Sequence, residues 1–87
     1  MPYELKYVAD WDRHFKDFDA AVKLRVLRKL EQLKSKEKSR HLEHGKPYFI
    51  EEVGGYRIAF KTDLAAATKT IYFIGDHGQY KKWYSAL

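Results

Sequence analysis

Residues 48–61 read YFIEEVGGYRIAFK, and no other stretch limits the fold as tightly. Two β-prone runs flank Gly54 and Gly55. That pair takes positive φ at little cost and suits a two-residue hairpin turn. After the turn, period-two alternation sends Tyr56, Ile58 and Phe60 to one face and Arg57, Ala59 and Lys61 to the other. The hairpin is therefore a two-faced sheet element, apolar on one side and cationic on the other.

The flanking segments extend this sheet. Tyr3 to Ala9, YELKYVA, alternates as a half-buried strand. The run TDLAAATKT makes a longer turn, and TIYFIG from Thr70 to Gly75 is a last strand, so nearly continuous in apolar residues that it belongs in the sheet's centre. Between the first strand and the hairpin, Trp11, Phe15, Phe18, Val22, Val26, Leu30 and Leu33 recur at steps of four and three, one core-forming stripe of helical period. Asp10 and Asp19 are candidate N-caps. The segment reads as a helical hairpin, Asp10–Phe18 and Asp19–Lys34, with a single kinked helix as the alternative. The expected fold is α+β: an N-terminal strand, a helical hairpin, then a three-stranded antiparallel meander, forming one four-stranded sheet with a short C-terminal helix or tail. No repeat or linker divides residues 1–87, which make one domain.

Several function classes drop out on composition. Without cysteine the chain has neither disulfides nor thiolate metal sites. It contains no apolar run near the roughly 18 residues that span a bilayer, and its opening, Met1 to Glu4, does not begin a signal peptide. A cytoplasmic protein without membrane contact is expected. His41 and His44 lie in the basic stretch KSKEKSRHLEHGK with only Glu43 beside them, too few ligands for a metal centre, so neither metal nor cofactor is expected. Lys and Arg total 17 against 12 Asp and Glu, a formal charge of +5. On so small a body this field favours polyanions or an acidic protein partner.

The chemistry-bearing candidates cluster late in the chain. GDHGQYKKWY, Gly75 to Tyr84, puts His77, Tyr80, Lys81, Lys82, Trp83 and Tyr84 directly after the last strand. With Arg57 the set makes sense for RNA. A guanidinium stabilises the charge of a pentacoordinate phosphate, and histidine exchanges protons near neutral pH. Tyrosine stacks on a base or holds a phosphate oxygen. Lys46, Lys61, Lys81 and Lys82 would add attraction to the backbone. Each also has an ordinary explanation: Arg57 as a solvated strand residue, His77 as a turn residue, the aromatics as core caps and the lysines as solubilising charges.

Together, the first strand, the helical segment carrying FKDF and VLRKLEQL, the GGYRIAF hairpin and the TIYFIGDHGQY ending resemble the RelE/ParE toxin superfamily from Tyr3 to Tyr84. The resemblance implies a small toxin neutralised by an acidic, partly disordered antitoxin that wraps across it. Its RelE-like branch implies an endoribonuclease that enters the ribosomal A site and cuts mRNA by metal-free 2′-hydroxyl attack on the adjacent phosphate. Its ParE-like branch implies a DNA gyrase inhibitor acting by protein binding, and an inactive RNA-binding member is a further alternative. Under the nuclease resemblance Arg57 stabilises the phosphorane, His77 is the general acid and Tyr80 orients the substrate. One departure stands out. RelE-like members often carry cations on the strand before the hairpin, where this sequence has Glu51 and Glu52. Strand alternation lets only one of them face the substrate, as a repelling charge or as a general base. Lys46, or the basic segment around it, is the candidate for the missing charge.

Overall fold

The two-residue hairpin forms where the glycines place it. A computed structural model describes residues 2–36, 40–41 and 47–87. In it, β3 (Phe49–Val53) and β4 (Tyr56–Asp63) pair antiparallel with Val53 opposite Tyr56. Gly54 sits at φ 58°, and a Cβ there would collide with the Arg25 guanidinium. The positive φ favours glycine there, while the Arg25 side chain is long and flexible enough to give way. Strand β5 (Thr68–Asp76) pairs antiparallel with β4, while β1 (Glu4–Tyr7) pairs parallel with β5. A two-residue strand β2 (Arg40–His41) borders β3, giving the order β1-β5-β4-β3-β2. The four longer strands are the expected sheet, and β5 holds a central position.

One helix covers the first face. Helix α1 (Ala20–Leu33) is capped by Asp19, whose carboxylate accepts from the Val22 N–H at 2.9 Å. Its Val26, Leu30 and Leu33 bury against Val53, Ile58, Phe60, Ile71 and Ile74. The expected helical hairpin is realised differently in its first half. Asp10 adopts φ 65° in a turn, and only a short 3-10 turn, Phe15–Asp17, precedes α1. A segment this short has little helix stability of its own, so aromatic anchoring sets its path. Trp11 packs between Tyr7 and Phe15 at centroid distances of 4.6 and 5.4 Å, and Phe18 lies 4.6 Å from Tyr56. Every residue of the apolar stripe still reaches the core. Its period was that of burial rather than of one continuous helix.

At the far end of α1, Lys69 of β5 is 2 % exposed. Its ammonium donates to the Leu33 carbonyl at 2.8 Å and to the Lys36 carbonyl, satisfying acceptors that the helix end leaves open.

The second face is not open. Helix α2 (His77–Ser85) leaves β5 without a loop and folds back over Ile50, Ala59 and Phe73 with Tyr80, against which Tyr48, Trp83 and Tyr84 pack. Asp76 and Gln79 close a capping box, each side chain accepting from the other's backbone N–H at 2.8 Å. A Cβ on Gly75 would lie 2.5 Å from the Phe73 ring and 3.0 Å from the Gln79 Oε1, so this immediate reversal needs glycine. A register shift sets Ala59 opposite Phe73 but Phe60 opposite Ile71, leaving Tyr72 as the additional residue. Tyr72 and Phe73 are thereby both delivered to the α2 side, while Ile71 and Ile74 stay on the α1 side. No helix among the described residues is long and apolar enough to cross a membrane.

Candidate functional site

Strand alternation carries Arg57 to the α2 side of the sheet, and two neighbours fix it there. Its guanidinium carbon lies 4.7 Å from the Tyr80 ring centroid, and Nη2 is 3.5 Å from a Glu52 carboxylate oxygen. The Glu52 contact follows from the hairpin: with a two-residue turn, position 52 must pair with position 57. Side-chain exposures of 26 % for Arg57 and 47 % for Glu52 leave this ion pair wetted. It contributes at most about 1 kcal/mol to stability, and it holds a cation in place without sealing it off. Tyr80, in contrast, is 8 % exposed. Its ring is a buried shelf under the guanidinium, a cation–π arrangement.

The two adjacent glutamates separate as alternation requires. Glu51 faces the α1 side, buried and 2.8 Å from the Lys36 ammonium. Glu52 alone shares a face with Arg57.

His77 is the first residue of α2 and is exposed. It stands three residues before Tyr80, hence on the same helix face. Among the described residues, no hydrogen bond or ion pair links it to Arg57. Lys61, two residues beyond Ala59 on the same strand face, is bracketed by Tyr48 and Tyr72 with its ammonium 4.9 and 5.0 Å from their centroids. Lys81 is exposed four residues after His77, on its side of the helix. Lys82 turns away from Arg57 and borders a groove with Arg13 and His14. Lys46 and His44 lie outside the described residues, as does the side chain of His41. Among the described residues no cluster of three or more potential metal ligands occurs.

The structure thus brings Arg57, Tyr80 and Glu52 into contact, sets His77 one helical turn away and places Lys61 farther along the same face. Sequence reading singled out four of these five and left Glu52 undecided between two glutamates. The register of the hairpin was the available signal. The tyrosines around Lys61 were not anticipated, because the bulge at Tyr72 leaves no mark in a run that is apolar throughout.

By sequence, no protein-family model and no curated protein matches the chain. By structure, it is similar to a mutant of the Escherichia coli toxin RelE in the free state, at TM-score 0.77 and 15 % identity over 98 % of this chain and 93 % of that one. It is also similar to the Mycobacterium tuberculosis toxin–antitoxin complex RelBE2, at TM-score 0.78 and 16 % identity over 88 % and 93 %. The archaeal RelE–RelB complex from Pyrococcus horikoshii superposes at TM-score 0.73 and 17 % identity over 91 % and 99 %. The chain has the fold of the RelE toxins, the architecture its sequence resemblance implied.

Proposed function

We propose that this protein is the toxin of a type II toxin–antitoxin pair and that it acts as a ribosome-dependent endoribonuclease on mRNA in the A site. The observation that carries the reading is the Arg57 guanidinium, held between the Tyr80 ring and Glu52 on a solvent-reached strand face, with His77 one turn along α2. In the reaction, the 2′-oxygen of the substrate attacks the adjacent phosphorus and the bond to the 5′-oxygen breaks. A 2′,3′-cyclic phosphate and a free 5′-hydroxyl result. Glu52 accepts the 2′-hydroxyl proton, and His77 gives a proton to the departing 5′-oxygen. Arg57 neutralises the extra charge of the phosphorane, a role suited to a planar donor that stays protonated. Tyr80 orients the substrate indirectly, by fixing Arg57. Lys61, Lys81 and Lys46 draw in the phosphate backbone. The partner that silences the protein is an acidic, partly disordered antitoxin whose charge complements this basic face.

The Arg57–Glu52 pair also gives some support to a second reading. A carboxylate beside the central cation weakens its attraction for RNA, as a protein-binding gyrase inhibitor could tolerate. Primer-extension mapping of an mRNA in cell-free translation separates the two. The nuclease reading expects codon-phased cuts that require translating ribosomes. Arg57→Ala and His77→Ala should each lower cutting by about 10²-fold or more. Intact mRNA in the presence of folded wild-type protein would discard the nuclease and make gyrase inhibition the next assay.

A further inference from the structure

The opposite flank of α2 carries a groove that the proposed cleavage chemistry does not use. It has a volume of about 670 Å³ and lies between the turn after β1 and the outer edge of α2. Its base is aromatic: Phe73 stacks on Trp83 at 5.0 Å and 17°, and the His14 ring meets Phe73 edge-on at 5.7 Å. Its rim bears two cations from opposite walls, Arg13 from the turn and Lys82 from α2. Among the described residues neither has an ion-pair partner, unlike Arg57. Asp10 and Gln79 also line it. Asp10 is held at φ 65°, a conformation that costs a non-glycine residue energy and so marks a turn fixed by its surroundings. Gln79 commits its carbonyl oxygen to the Asp76 N–H, which leaves its amide donors free for the groove.

From this juxtaposition we infer a nucleotide subsite, built to take one unstacked base and its phosphate. A volume of this size suits a ligand of nucleotide dimensions. Over the buried Phe73, the partly exposed rings of Trp83 and His14 offer a surface for a purine, as in single-strand recognition generally. Arg13 and Lys82 converge on the phosphate. The Asp10 carboxylate accepts from ring and exocyclic N–H groups, while the Gln79 amide donates to a ring carbonyl. Guanine alone among the four bases offers two adjacent N–H donors beside a carbonyl on its Watson–Crick edge, so the subsite prefers guanine. The inference rests on the RNA-facing reading above only for its natural ligand, a nucleotide neighbouring the cleaved one. The site itself stands on its own residues.

Amide chemical-shift mapping of the full chain with 5′-GMP, and with the other three nucleoside monophosphates, tests it. The expected result is a saturable response to GMP confined to residues 8–14, 72–73 and 79–86, weaker for the other bases. Arg13→Ala or Lys82→Ala should raise the dissociation constant about tenfold, the worth of one charged hydrogen bond, and unchanged spectra elsewhere would certify that both variants fold. Either no response, or a response centred on Arg57 and Lys61, would overturn the subsite. So would a groove that ignores nucleotides but responds to an apolar peptide, which would make it a protein contact. The nuclease reading is scored separately, by mRNA cuts that depend on Arg57. Cuts without GMP binding would remove the subsite alone, and GMP binding without cuts would remove the nuclease alone.

Discussion

The two faces of the sheet solve different problems with the same strands. Toward α1, the centre of the packing is wholly buried: Val26, Leu33, Ile58, Phe60, Ile71 and Ile74 have no measurable exposure. The buried cation there, Lys69, lies over the Tyr3 and Phe60 rings, but its ammonium is also bound to carbonyls at the end of α1. Toward α2, the packing is aromatic, and the cations lie over rings with no carbonyl acceptor among the described residues: Arg57 over Tyr80, and Lys61 between Tyr48 and Tyr72. Rings hold a cation in position while leaving its donors to other partners, whereas carbonyls use the donors up. The α1 face is a foundation and the α2 face a set of presented charges.

This contrast can be broken most forcefully on the foundation side. Ile71→Ala removes a fully buried side chain between α1 and the sheet and should cost about 3–4 kcal/mol, read as a lowered urea midpoint. Under the proposed nuclease function, cutting per folded molecule should remain that of wild type. A specific-activity loss larger than the unfolded fraction would mean that the two faces are coupled, and the division between them would fail. On the α2 side the order of effects reverses. Tyr80→Leu keeps an apolar group under Arg57 but removes the ring face. It should lower cutting about tenfold, the scale of a partly desolvated cation–π contact. Tyr80→Phe should leave it nearly unchanged. Equal losses in both variants would show that the hydroxyl matters, returning Tyr80 to direct contact with substrate.

The same contrast explains what the sequence made legible. Burial on the α1 side leaves periodic marks, so the stripe from Trp11 to Leu33 and the hairpin residues Ile58 and Phe60 could be read directly. The first half of that stripe did not reveal its backbone. Aromatic residues anchored in a turn keep the same spacing as in a helix, and Asp10, read as a cap, is instead the left-handed residue of that turn. On the α2 side, Arg57, His77, Tyr80 and Lys61 were visible as residue types. Their contacts depend on two features a linear pattern conceals, the register shift at Tyr72 and the immediate reversal at Gly75. The capping box of Asp76 and Gln79 was the local signal for that reversal, spaced as N-cap and N3 in GDHGQY. It also explains why a final strand runs straight into histidine, tyrosines and lysines. The helix that begins there forms the roof of the second face.

Glu52→Gln is the smallest perturbation and the sharpest. It retains the shape of the residue beside Arg57 while removing its charge. Because the ion pair is half-exposed, loss of stability should stay below about 1 kcal/mol, a shift of only a few degrees in the melting midpoint. Cutting separates the two roles left for this carboxylate. If Glu52 accepts the 2′-hydroxyl proton, a neutral amide in its place cannot, and cutting should fall about 10²-fold with affinity for uncleavable RNA unchanged or improved. If Glu52 only tethers Arg57, release of the guanidinium should strengthen RNA binding with cutting equal to or above wild type. Glu51→Gln is the internal control. Glu51 is buried on the α1 face against Lys36, so its substitution should lower stability more than Glu52→Gln while leaving cutting per folded molecule intact. An opposite ranking of the two glutamates would mean that the face carrying the chemistry has been assigned the wrong way round.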